Sequence, residues 1–204
     1  MCIPGCTPRE QQGDAAKKQP ETPAKKTTEP CPQDFLDNLN KCDGGTGIYE
    51  KAKAANGGKE PTIKMGAAGT GGQVDTGAGE ITLDKSLDKC FATQILIQEL
   101  SNLSHKKDFD DATSKALSGD LGREEFIKAY EKAEFDGVKN VIKAFDSCKD
   151  VWGCTTCEKE WARSVKDFDD YYNNYLSSSH KENYGQWWDA NCKGAYDAKK
   201  PKGK

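Results

Sequence analysis

The chain has 204 residues and a mass of 22.4 kDa, the size of one domain or of a domain with a tail. Lys and Arg total 30 against 33 Asp and Glu, a formal net charge of −3, which argues against general nucleic-acid binding. No apolar run approaches the roughly 18 residues that a membrane-spanning helix needs, and the apolar content of 35% places part of the chain outside any core. Six of the eight prolines fall at or before Pro32, and no aromatic residue precedes Phe35. Residues 1–32 therefore read as an extended Pro/Lys-rich tail that cannot bury enough apolar surface to offset ordering. The tail has no basic start followed by an apolar run of roughly 7–15 residues, so it does not read as a Sec signal. The expectation is a protein that stays in the cytosol or leaves by a route that reads no such signal.

A single domain is expected over 33–198, with a basic tail at 199–204. Residues 33–42 predict a short helix on Phe35, Leu36 and Leu39. Between Cys42 and Glu80 lie 11 of the 20 glycines, which argues against long helices there. Short strands are expected near Thr62–Met65 and on either side of the Gly77-Ala-Gly79 turn, at Val74 and Glu80–Leu83. Gly66-Ala-Ala-Gly-Thr-Gly-Gly72 lacks the Lys-Ser/Thr of a P-loop and reads as a flexible or hairpin loop. Helices are then expected over Lys85–His105 with Asp84 as cap, over Phe109–Leu117, and from Gly122 to Cys148. A further helix is expected over Glu158–Leu176, and a last one carrying Tyr184, Trp187, Trp188 and Tyr196. The fold class is α+β and predominantly helical, with a small antiparallel sheet packed on a central buried helix.

Nine cysteines are an odd count, so at least one lacks an intrachain partner. Disulfide staples in an oxidising compartment are the favoured reading of Cys148, Cys154, Cys157 and Cys192. A four-thiolate zinc site and a Cys154-Thr-Thr-Cys157 redox pair are weaker alternatives. Cys90 reads as a small buried hydrophobe.

On a helical wheel the segment Leu87–His105 is apolar nearly all round, the mark of a buried helix, yet Glu99 falls between Ile95 and Ala92, with Gln98 and Asn102 on the next sector. The helix after Gly122 repeats the pattern. Its stripe runs through Phe126, Ile127, Tyr130, Ala133, Val138, Val141, Ile142 and Phe145, with Glu134 close to mid-stripe and Glu131 at the edge. Burying a lone ionised carboxylate costs several kcal/mol unless a partner or a raised pKa relieves it. Each carboxylate is either satisfied in a core network or belongs to a cleft where a desolvated carboxyl does acid/base work.

The order strand, helix, helix resembles the zincin metallopeptidases, whose domains occur, intact or altered, in bacterial polymorphic toxins and type VI secretion effectors. Glu80-Ile-Thr-Leu-Asp84 stands at the place of the edge strand, Gln98-Glu99-Leu-Ser-Asn102 at the place of His-Glu-x-x-His, and Glu134 at the place of a third-ligand Glu. The resemblance covers about residues 61–145, and both zinc-binding histidines are replaced by amides, which are poor zinc ligands. It implies a secreted effector or toxin of hydrolase type acting on peptide or cell-wall polymer, with Glu99 and Glu134 as catalytic carboxylates. Gln98, Asn102 and His180 are the candidate substrate-binding residues. No metal ligand set is assigned and no cofactor is expected; a divalent metal held by another set, with His105 or His180, is an alternative. A cognate immunity protein or host target is the partner that such a domain implies. The alternative function is a non-catalytic effector that binds a partner protein through the aromatic C-terminal half; nine of the 18 aromatics lie after Glu158. Those aromatics read mainly as helix packing, with room for a sugar- or peptide-binding face.

Overall fold

The computed structural model describes residues 31–69 and 71–200. The expected tail therefore lies outside the described residues except for Cys31 and Pro32, and Pro32 opens the first helix, α1 (Pro32–Leu39). The order continues α2 (Asp43–Ala55), β1 (Thr62–Gly66), β2 (Gly72–Asp75), β3 (Glu80–Asp84), α3 (Lys89–Ser104), α4 (Lys106–Leu117) and α5 (Arg123–Trp152). A 3₁₀ turn at Glu160–Ser164 leads to a short α6 (Phe168–Asp170), which runs into a π turn at Tyr171–Tyr175. The chain closes with α7 (Ser178–Asn191) and α8 (Lys193–Lys199). The fold is α+β and predominantly helical, as the sequence predicts.

Helix α3 is the axis of the fold. Every residue from Ala92 to Leu103 is buried, which fits its lack of a polar face. Its start is set by Asp88, whose side chain accepts from the Phe91 amide at 2.9 Å. Asp84, the expected cap, instead accepts from Ser86 N and Oγ and from Ala68 N, closing the turn after β3. Helices α1, α2 and α5 and the sheet pack around α3.

The sheet has the order β1-β3-β2. Strands β2 and β3 form the expected hairpin, but β1 runs parallel to β3, with Ile63 opposite Ile81. The sheet is thus mixed rather than antiparallel, and Glu80–Asp84, expected as an edge strand, is its central strand. The hairpin leaves one edge of β3 open, and β1 takes it, while β2 faces α3.

Two helical expectations are corrected. The glycine-rich stretch after Cys42 folds into the 13-residue α2. Gly45 serves close packing: a Cβ there would sit 2.4 Å from the Leu39 carbonyl oxygen. The expected helix over 158–176 is broken, because Val165 is extended and Asp167 caps a new start by accepting from Asp170 N at 2.8 Å.

Among the described residues two disulfides are present, Cys42–Cys148 and Cys90–Cys154. Cys90 is therefore a bridge residue and not a plain hydrophobe. Cys148 and Cys154 each reach back to an earlier helix, so the cysteines after Gly122 do not form a cluster of their own. Beside Cys42–Cys148, Trp152 Nε1 donates to Asn38 O at 2.7 Å, and Asn38 donates to Thr93 Oγ1 at 3.3 Å. Together these contacts tie α1 and α2 to the core helices. No described helix is long and apolar enough to cross a membrane.

The Cys42–Cys148 bridge closes a loop across 106 residues, a length for which chain entropy gives about 4–5 kcal/mol. Replacing both cysteines with Ser is expected to lower stability in denaturant melts by about 2–4 kcal/mol, with no change in the far-UV signature of the folded state. An unchanged midpoint would show that α2 is held by packing alone.

Candidate functional site

The sequence-predicted residues Gln98, Glu99, Asn102, Glu134 and His180 all line one cleft of about 490 Å³. Its floor is α3 and α5. One wall is β2, and the other is formed by the 3₁₀ turn, the π turn and the start of α7. His105, at the junction of α3 and α4, is absent from the lining and bonds Asp108 at 2.8 Å.

Two glycines let the elements approach closely enough to form this floor. A Cβ on Gly72 of β2 would lie 2.4 Å from Ile95 Cγ2 and 3.2 Å from Glu99 Oε1. A Cβ on Gly137 of α5 would lie 2.3 Å from Gln98 Nε2. Both positions thus sit directly against the polar residues of α3.

Glu134 accepts from three sides. Gln98 Nε2 donates to its Oε2 at 3.1 Å, Asn102 Nδ2 donates to the same oxygen at 3.0 Å, and Tyr184 OH donates to Oε1 at 3.0 Å. Because a carboxylate is an acceptor, these bonds fix both amides with nitrogen toward Glu134. A zinc site of the zincin kind needs three side chains offering lone pairs to one point. Here Gln98 and Asn102 offer N–H groups, and Glu134 receives them. The residues do not fit that metal, and no chemistry through it is derived.

Glu99 lies on the next turn of α3. It is 8% exposed, and its pKa is pushed up to about 8, first by burial and then by the negative charge of Glu134; a hydrogen bond from Asn102 and the charge of Lys159 act in the opposite sense. Near neutral pH Glu99 is thus a protonated acid in a cleft.

Glu131, which the sequence places only at the edge of its stripe and assigns no role, joins the site. It is fully buried, with 0% exposure, and it is paired with His180, whose Nδ1 lies 2.7 Å from Glu131 Oε1, and with Tyr171, whose OH donates to Oε2 at 3.2 Å. The carboxylate fixes Nδ1 as the protonated ring atom, leaving Nε2 as the nitrogen that the cleft can use. His180 sits in the first turn of α7, where Ser177 caps its amide. Its pKa is raised above the ordinary value, mainly by the bond to Glu131 and against partial desolvation. Burial and the nearby carboxylates also hold the Tyr171 and Tyr184 hydroxyls protonated.

The outer wall is positioned by the Cys90–Cys154 bridge and by Gln94 of α3. Gln94 Nε2 donates to Thr156 O at 3.0 Å, and its Oε1 accepts from Glu158 N at 2.7 Å. These contacts bring Lys159 and Trp161 to the cleft. Trp161 stacks on Tyr175 and Tyr171, at centroid separations of 5.9 and 6.3 Å.

No family model matches the chain, and no curated protein and no solved structure matches it.

The buried acid makes stability depend on pH. The unfolded chain ionises Glu99 near its ordinary value of 4.5, while the folded chain keeps the proton up to about pH 8. Between these limits the unfolded state releases a proton that the folded state retains, so stability falls with rising pH by several kcal/mol, at ~1.4 kcal/mol per pKa unit. Glu99→Gln removes this loss. Its melting temperature is expected to match the parent near pH 4 and to exceed it above pH 8; a constant difference across that range would show that Glu99 is not desolvated.

Proposed function

We propose that the chain is a secreted effector of hydrolase type, acting on a peptide or cell-wall polymer by acid/base chemistry between Glu99 and His180. The observation that carries the reading is the placement of a protonated Glu99 in the same cleft as an imidazole oriented by a buried carboxylate. Environments that push two titratable groups apart in role are the mark of acid/base sites. Secretion is supported by the disulfides, which persist in oxidising compartments. The toxin or effector setting, with an immunity protein or host target as partner, rests on the zincin-like order of β3, α3 and α5.

In this reading the Nε2 lone pair of neutral His180 takes a proton from water, and the oxygen of that water bonds to the electrophilic centre of the substrate. The bond to the leaving group breaks as the Glu99 O–H gives it a proton. Glu99 is left as a carboxylate and His180 as an imidazolium beside Glu131, and exchange with solvent restores both. Glu134 does not transfer a proton. Its three hydrogen bonds make it a fixed negative charge that keeps Glu99 protonated and holds Gln98 and Asn102 in place. Glu131 is a positioning residue that acts through His180.

Activity should follow a bell in pH. The acid limb lies above 6.5, because His180 must be neutral and its pKa is raised; the alkaline limb lies near 8, where Glu99 ionises. Glu99→Gln keeps the shape and is expected to lower hydrolysis or toxicity by about 10²–10⁴-fold. Undiminished activity in the folded variant rejects the reading.

Glu131→Gln removes the charge that raises the His180 pKa. Its acid limb is expected to move to lower pH, whereas a variant that is merely less stable would lose activity at every pH. The rival, a non-catalytic effector that grips a partner protein, draws on the exposure of Trp161, Tyr175 and Trp187. Toxicity that survives Glu99→Gln but fails on replacing these rings would establish it.

A further inference from the structure

We propose that the cleft binds a glycan strand, with pyranose rings laid on the aromatic wall and the scissile linkage directed at Glu99; this rests on the hydrolase reading above and selects its substrate class. The first observation is the wall itself. Trp161 lies between Tyr171 and Tyr175 in near-parallel stacks, with interplanar angles of 19° and 22°. Trp161 is 42% exposed and Tyr175 40% exposed, although both line the cleft that holds the two carboxylates. Large aromatics left open inside a concave polar site leave apolar area for a ligand to cover. The open parts of Trp161 and Tyr175 present negative π surface to the cleft. The ligand that matches it is flat, carries polarised C–H groups on its faces and has hydroxyls around its rim, which describes a pyranose. An extended peptide offers alternating side chains and no repeated flat face.

The second observation is an unmatched acceptor. Gln98 is 7% exposed and lines the cleft, and its Nε2 is committed to Glu134. Its Oε1 is buried with no hydrogen-bond partner among the described residues. Such an atom carries a penalty of roughly 1–3 kcal/mol until a donor reaches it. A sugar hydroxyl is a donor of suitable size. The third is the pairing of one protonated carboxyl with a separately oriented base in a cleft of about 490 Å³, within the roughly 300–1,000 Å³ range of small-molecule sites. The protonated carboxyl suits the departure of an alcohol oxygen, which requires a proton as the glycosidic bond breaks. Water supplies the oxygen that bonds to the anomeric carbon, its proton passes to His180, and the proton of Glu99 goes to the departing sugar oxygen.

The test uses the full chain, oxidised, with N-acetylglucosamine tetramer and cellotetraose as glycan probes and a tetra-alanine peptide as the peptide probe. Binding is read from chemical shifts of the Trp indole N–H signals, assigned through Trp161→Phe. The expected result is that at least one glycan perturbs the Trp161 signal and the peptide does not. Trp161→Ala and Tyr175→Ala should each weaken that glycan by about tenfold, equivalent to ~1.4 kcal/mol, while Trp161→Phe retains most of the affinity and the melting temperature stays constant. Failure of both glycans to bind, or binding insensitive to the ring substitutions, overturns the proposal. The outcomes also separate the two readings. A glycan that binds at Trp161 but is never cleaved upholds the glycan site and defeats the hydrolase. Cleavage of a peptide that depends on Glu99, with no glycan bound, upholds the hydrolase and defeats the glycan site.

Discussion

The close approach of α3 to α5 is the constraint on which the rest of the structure depends. Gly137 removes the one Cβ that would collide with Gln98, at 2.3 Å. With that space open, Gln98 and Asn102 reach Glu134 directly, and the charge of Glu134 comes to bear on Glu99. On the other side of α3, Gly72 lets β2 lie against Ile95 and Glu99 and seals the acid from bulk water. The raised pKa of Glu99 is thus a product of packing as much as of charge. Desolvation is its largest cause, and Gly72, which carries no side chain, lies directly against Glu99.

The cleft separates its carboxylates by the partners each one has. Glu134 receives two amides and a phenol; Glu131 receives an imidazole and a phenol. Glu99 has a weaker set of partners and stays protonated. Three carboxylates in one core would repel strongly if they were equivalent, and this division avoids that. One is anchored by amides and a phenol, one is paired with an imidazole and a phenol, and one is neutral. The arrangement is costly for a scaffold, since apolar residues of similar volume would often give a more stable core than buried ionic groups.

What was legible in the sequence follows from what periodicity can report. Glu99 and Glu134 stood out because each interrupts an apolar surface on its own helix, a pattern confined to one element. Glu131 was visible at the edge of its stripe, but its meaning depends on His180, 49 residues away and on another helix. The roles of Tyr171 and Tyr184 depend in the same way on partners from α5. Helix α2 was hidden because glycine lowers helix propensity by about 1 kcal/mol per residue, and composition does not reveal when a glycine is kept for contact. Gly45 under Leu39 is such a case. The cysteine count announced bridges but not their pairing, since Cys42–Cys148 and Cys90–Cys154 span separations of 106 and 64 residues. The parallel pairing of β1 with β3 was hidden for the same reason: strand alternation marks a face, and says nothing of which edge a neighbour will take.

The C-terminal third owes its irregular backbone to the cleft it walls. A continuous helix over 158–176 would spread Trp161, Tyr171 and Tyr175 around an axis at 100° per residue. The break at Val165 and the π turn at Tyr171–Tyr175 instead gather them on one side, stacked within 5.9 to 6.3 Å of Trp161. The segment is held at both ends: Cys154 and Gln94 fix its start on α3, and Tyr172 OH bonds Glu124 of α5 at 2.9 Å. Between these anchors Arg163 bonds both carboxylate oxygens of Asp146, at 2.6 and 2.9 Å, and secures the 3₁₀ turn. A π turn is a rare departure from helical geometry and tends to occur at functional sites. Here it has a specific effect: it aims Tyr171 inward to Glu131 while Tyr175 stays open to the cleft.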